Sequence, residues 1–175
     1  MEKIIIVDKD DNTIGLGDKE KCHDGEGILH RAIMAMAFND KGQLLLAKRS
    51  DKKRLWPGYW DGTIASHPHE GETYETATVR RAPQELGVQA NRVKFLFKFY
   101  YHIPYENKGS EREICGVLAF KWDGTFNPAP EEISDIKFVD FKELLNNHAS
   151  EEYAPWLKTA LDKFTEEHVR AVENL

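Results

Sequence analysis

The chain has 175 residues, 41% of them hydrophobic and 31% charged, and 30 acidic against 24 basic side chains give a formal net charge of −6. That length and balance fit one globular α/β domain over residues 1–175 and exclude a second independent core. The acidic excess leaves no electrostatic footprint for nucleic acid or an anionic membrane, so any bound anion must be met by a local basic pocket.

Alternation and β-branched content predict short strands over Lys3 to Val7 and Thr13 to Gly17, joined by the Asp/Asn-rich turn Asp8 to Asn12. A polar loop with His23 follows. Ala32 to Asn39 and Gln43 to Arg49 read as a hairpin, with turn chemistry in Asn39-Asp40-Lys41-Gly42. After the basic loop Ser50 to Gly58 comes a strand, Trp60 to Ser66. Glu72 to Leu86 reads as a helix stopped by Gly87, with Pro83 expected to kink its last turn. Long strands over Arg92 to Pro104 and Glu111 to Trp122 flank the loop Tyr105 to Ser110. A strand over Asp135 to Val139, a short helix over Phe141 to Asn146 and an amphipathic helix over Ala154 to Val172 close the chain. Strands with a central and a C-terminal helix predict an α/β sandwich around a mixed sheet.

No apolar run is long enough to cross a membrane and no secretory signal is visible, so the expected compartment is the cytoplasm. Cys22 and Cys115, without CxxC spacing, fit a reduced intracellular chain.

Glu111 and Glu113 stand two apart on a predicted strand, so their carboxylates share a side. Such neighbours repel unless water or a cation stands between them. His67 follows a predicted strand, and His23 and His30 lie in the segment entering another. Imidazole mixed with carboxylate suits a six-coordinate divalent ion such as Mg²⁺ or Mn²⁺, and these ions handle phosphate oxygens. His69, His102, His148 and His168 read as surface histidines.

From Ser66 to Val88 the chain resembles a degenerate Nudix box, whose pattern is G-x5-E-x7-R-E-U-x-E-E-x-G-U with U apolar. Its slots hold Ser66, Glu72, Arg80, Arg81, Ala82, Gln84, Glu85, Gly87 and Val88. The departures match one branch, the type I isopentenyl-diphosphate isomerases, and the resemblance runs from Lys21 to Trp156. It implies a Nudix-type sandwich of a mixed β-sheet between helices. It also implies metal-dependent isomerisation of isopentenyl to dimethylallyl diphosphate, a step of isoprenoid biosynthesis. By the same resemblance His23, His30, His67, Glu111 and Glu113 hold one ion. Glu85, with the backbone carbonyl of residue 65, holds a second, diphosphate-bound Mg²⁺. Lys21, Arg49, Lys53 and Arg81 match the basic residues that bind the diphosphate. Tyr101 and Trp156, the latter in Tyr-Ala-Pro-Trp, match the active-site tyrosine and tryptophan. Glu113 with Tyr101 would move the proton on one side of the substrate, and the indole face of Trp156 would stabilise a tertiary carbocation by about 2 kcal/mol once water is excluded.

The family's catalytic cysteine falls at Ala65, in Ala65-Ser66-His67-Pro68. A methyl group transfers no proton. Ser66 should point to the other side of its strand. Thr63 shares the side of residue 65, but an alcohol is a far weaker acid than a thiol with pKa about 8.5. Three readings stay open: an isomerase inactivated by a cysteine-to-alanine change, a natural relative using water or another residue, and a Nudix hydrolase of a prenyl or nucleoside diphosphate. Arg81 and Gln84 stand where two carboxylates of a hydrolase would be, while Glu72, Glu85, Glu111 and Glu113 remain. A diphosphate-binding protein that lost its chemistry is the non-enzymatic alternative.

Overall fold

In the computed structural model, which describes residues Met1–Leu175, nine strands share one mixed sheet and helices cover both of its faces. The chain opens with the hairpin β1 (Lys3–Val7) and β2 (Thr13–Asp18), whose turn is held by Asp8 accepting the Asp10 and Asn12 N–H groups at 2.9 Å each. A four-residue helix, α1 (Lys19–Cys22), comes next. Then β3 (His30–Phe38) runs through the middle of the molecule, buried at every position but Arg31. A strand covered on both faces is apolar throughout rather than alternating.

Along one side β3 pairs in parallel with β8 (Gly109–Lys121), which pairs in turn with β7 (Lys94–Tyr105). On its other side β3 meets β6 (Ile64–Ser66), and it touches β4 (Gln43–Arg49) only at Phe38 and Leu44. Beyond β4 lie β5 (Trp60–Asp61) and β9 (Ile133–Asp140). Ile33, Ala35 and Leu118 pack under α2 (Tyr74–Leu86), while Met34, Met36 and Phe38 share the opposite core with Phe141, Leu157 and Leu161. Those three belong to α3 (Phe141–Asn146) and α4 (Pro155–Leu161).

Three expectations change in detail. The expected strand Trp60 to Ser66 is two strands, because the chain turns at Gly62 and Thr63 where β3 and β4 part. There Thr63 Oγ1 accepts the Ala37 N–H at 2.8 Å and donates to the Leu45 carbonyl at 2.5 Å, bridging the gap. The expected helix Ala154 to Val172 is also two, α4 and α5 (Glu166–Glu173). Thr165 restarts it with a capping box, its hydroxyl meeting the His168 N–H and its own N–H meeting the His168 ring. Third, α2 begins at Tyr74 behind a Thr73 cap instead of at Glu72; it contains Pro83 and, as expected, stops at Gly87, whose φ of 68° suits glycine. No helix is long and apolar enough to cross a membrane.

Candidate metal centre and substrate cavity

The parallel β3–β8 pair brings the donors together at one end. His30, the first residue of β3, lies directly beside Glu113 of β8, and Tyr101 of β7 flanks Glu113 on its other side. Glu111 is one pleat earlier on the same face. His67 follows β6, and His23 caps the C-terminus of α1. This helix went unrecognised in the sequence, although Asp18 is a suitable cap and accepts the Lys21 N–H at 3.2 Å. Gly109 lets His23 approach: its φ is 141°, and a Cβ there would lie 2.2 Å from the His23 carbonyl oxygen. That oxygen accepts the Ser110 N–H at 3.0 Å.

The three imidazole centroids are 4.7, 5.0 and 5.2 Å apart, and one ligand atom from each of the five side chains lies within 4.8 Å of every other. Nε2 of His67 and of His30 lie 3.0 and 3.1 Å from Glu113 Oε1, and His23 Nε2 lies 3.0 Å from Glu111 Oε2. With metal–ligand bonds of ~2.1 Å, octahedral neighbours stand about 3.0 Å apart and opposite donors about 4.2 Å. The observed spacings fit. Nδ1 of His23 and His30 each sit 2.7 Å from a backbone oxygen, of Lys19 and Ile28, so Nδ1–H donates outward and Nε2 is the nitrogen turned to the cluster, where it would give its lone pair to an ion. Glu111 Oε2 is buried and has no hydrogen-bond partner, because His23 is close but misaligned. A buried carboxylate oxygen without a donor is unfavourable unless a cation meets it. This donor set therefore fits a divalent ion.

Left to themselves, the five groups compete for protons. Burial opposes charge on His23, but the adjoining Glu111 and Glu113 carboxylates lift it to about 9. Burial, reinforced by His30 and His23, pushes His67 well below the usual histidine value. Burial also raises Glu113, yet His30 and His23 outweigh it and the carboxyl ends below its ordinary value. Tyr101 donates a short hydrogen bond to Glu113 Oε2; burial first, then that carboxylate, keep the phenol protonated.

A cavity of about 430 Å³ opens beside the cluster and is bordered by Ala65, Tyr101, Glu113 and Trp156 together with Arg49, Lys53 and Arg81. His30 belongs to the donor cluster behind the cavity and Glu85 to a smaller hollow beside it, whereas Lys21 reaches neither: it is exposed, and Lys19 borders the cavity instead. Residues 19 and 23 are one helical turn apart and share a face, which residue 21 does not. Lys53 and Arg81 both pair with Glu132, and Arg81 Nε donates to Glu85 Oε1 at 2.9 Å. Burial pushes Glu85 up to about 7 despite Arg81. Burial also opposes the charge of Glu132, but Lys53 and Arg81 hold it at about 2. Glu85 and Ala65 border one small hollow, as the resemblance implies.

Thr63 is fully committed to Ala37 and Leu45 and does not reach the large cavity. Ser66 pairs with Ile33, on the opposite pleat from Ala65 and Met34, and the residue borders the cavity at the strand end. Glu72 is taken by Arg80 at 2.6 and 2.9 Å, and Arg80 holds the His67 carbonyl at 3.0 Å. Glu72 thus braces His67 from outside the cavity. Sequence reasoning missed Lys19, Glu132 and Asp61. Asp61 had a signal, the one charge inside the predicted strand Trp60 to Ser66.

A mixed sheet between helices thus carries a buried imidazole–carboxylate cluster beside a basic cavity. The NUDIX domain model matches residues 28–161, and the chain belongs to that family. Within it the chain is a member of the isopentenyl-diphosphate delta-isomerase branch. It is 39% identical over 167 residues to an isopentenyl-diphosphate delta-isomerase of Haloarcula marismortui, covering 91% of this chain and 89% of the relative. Isopentenyl-diphosphate delta-isomerase 1 of Photorhabdus laumondii is 37% identical over 161 residues, covering 90% and 92%. Among solved structures, protein DR0079 of Deinococcus radiodurans superposes with a TM-score of 0.68 at 23% identity, covering 99% of this chain and 98% of its own. A MutT protein of Methanosarcina mazei gives 0.62 at 16%, covering 83% and 94%. These two likenesses establish the fold.

Proposed function

We propose that this chain converts isopentenyl diphosphate to dimethylallyl diphosphate, with a divalent ion held by His23, His30, His67, Glu111 and Glu113. A second, Mg²⁺, would sit between Glu85 and the carbonyl of residue 65 and accompany the diphosphate. The carrying observation is that Tyr101, Glu113 and Trp156 border one cavity with Arg49, Lys53 and Arg81. A short apolar tail then lies among a proton-bearing phenol, a carboxylate and an indole, while the charged end meets the basic side chains.

An ion held by these five side chains would supply positive charge and so tune the acidity of Glu113. On one side of the substrate Glu113, hydrogen-bonded by the Tyr101 hydroxyl, would give a proton to the alkene carbon or take one from it. Trp156 offers its face to the cationic carbon. Lys53 and Arg81 are held ready by Glu132, so the anion replaces an existing partner instead of ordering free side chains. With a methyl group at residue 65 the proton on the opposite side of the cationic carbon passes to or from a water molecule, and that transfer becomes the slow step. Hydrolysis is less well supported, since Arg81 and Gln84 occupy acidic slots and Glu72 is turned to Arg80, leaving Glu85 as the one Nudix-box glutamate at the hollow beside Ala65.

The test is incubation with isopentenyl diphosphate and Mg²⁺ plus Mn²⁺ in heavy water, followed by proton and phosphorus NMR. Dimethylallyl diphosphate carrying deuterium supports the reading. Released phosphate or a prenyl monophosphate would replace it with hydrolysis, and saturable binding with neither product would leave a binding protein.

A further inference from the structure

We propose that Asp61 is a positioning residue whose buried carboxylate clamps the Trp156 indole to the Arg49 guanidinium, fixing the aromatic face relative to the charged end of the cavity. The inference rests on the prenyl-diphosphate reading above.

Asp61 is 2% exposed, and its two oxygens accept Trp156 Nε1–H at 2.9 and 3.0 Å. The Gly62 N–H donates to Oδ1 at 2.7 Å, and Arg49 Nη1 lies 3.4 Å from Oδ2. The Arg49 guanidinium carbon in turn sits 5.1 Å from the centroid of the Trp156 ring. Arg49 Nε and Nη2 hold the Trp56 and Leu55 carbonyls at 3.0 and 2.9 Å, so one carboxylate organises both the loop and the indole. The backbone converges on the same point. Trp60 N–H donates to Glu152 and Ala154 N–H donates to Trp60, both at 2.8 Å, which docks the segment delivering Trp156 onto the strand that carries Asp61.

A buried charge is an unfavourable way to pack a tryptophan, and an apolar residue of similar size would do so at least as well. The carboxylate does something packing cannot. Gripping the single indole N–H with both oxygens fixes the ring plane. A charge-assisted bond at that N–H also sends electron density into the ring, strengthening its attraction for a positive centre.

The test uses the full chain with Mn²⁺ and two probes: a diphosphate whose short tail ends in a protonated dimethylamino group, and neutral isopentyl diphosphate of the same shape. Calorimetry gives the ratio of their affinities. Asp61→Asn keeps an acceptor and removes the charge, and it is expected to lower the preference for the cationic probe about fivefold while moving the neutral affinity less than about twofold. In a Trp156→Phe background the same change is expected to alter the ratio less than about twofold, because Asp61 acts through the indole. Asp61→Ser provides the same comparison if the asparagine variant does not fold. An unchanged ratio in Asp61→Asn, or an equal loss without Trp156, overturns the proposal. Failure of the unaltered chain to bind either probe overturns the prenyl-diphosphate reading itself, and this inference with it.

Discussion

Glu113→Gln removes the donor that the cluster shares most widely. Its Oε1 lies 3.0 Å from His67 Nε2, 3.1 Å from His30 Nε2 and 3.9 Å from His23 Nε2. The amide keeps the shape but takes one of two negative charges from a divalent ion, and a hundredfold loss of affinity is the expected scale. At a metal concentration a hundred times the original Kd, binding stabilises the unaltered fold by about 2.7 kcal/mol, against about 0.4 kcal/mol in the variant. For a domain of this size those figures correspond to Tm gains of about 5–10 °C and about 1 °C. The assay is calorimetric or fluorimetric melting after chelation and again after Mn²⁺ is restored. Tyr101→Phe, which loses only the bond to Oε2, should keep a gain within about 2 °C of the unaltered chain. Equal gains in the chain and in Glu113→Gln, or no gain in either, would refute the shared cation.

Ala65→Cys is expected to raise the rate of dimethylallyl diphosphate formation at least about tenfold, measured by NMR at saturating substrate, because it restores an acid–base group. Thr63→Val leaves the Ala37 N–H and the Leu45 carbonyl buried without their partner, and should lower stability by about 2–4 kcal/mol in urea unfolding. The folded carboxyl of Glu132 titrates at about 2, below its ordinary value of 4.5, so its stabilisation is complete above about pH 4.5 and is lost as pH falls toward 2. Glu132→Gln should therefore flatten the dependence of the urea midpoint on pH across that window while leaving the slope above it unchanged.

Of the candidate donors, the two glutamates could be paired from a local rule, while the three histidines were singled out by the family resemblance. Glu111 and Glu113 stand two apart on one strand and so share a face, and His30 opens the strongly apolar strand β3. What escaped reading depends on tertiary placement. A four-residue helix has no hydrophobic period, so Lys21 was taken for the cavity lysine where α1 turns Lys19 inward. The break between α4 and α5 was written in Thr165-Glu166-Glu167, a capping residue with acidic neighbours, but the amphipathic pattern runs straight across it. Glu132 is separated from Lys53 and Arg81 by 79 and 51 residues, and nothing local marks it. Asp61 carried a warning in its charge, and its partner Trp156 lies 95 residues away.

The most direct measurement is anomalous diffraction at the manganese edge from crystals grown with Mn²⁺. One peak bonded to Nε2 of His23, His30 and His67 and to oxygens of Glu111 and Glu113, at about 2.1–2.2 Å, is the expected result. A map with no peak among those five side chains, or with the ion bound elsewhere, would contradict it.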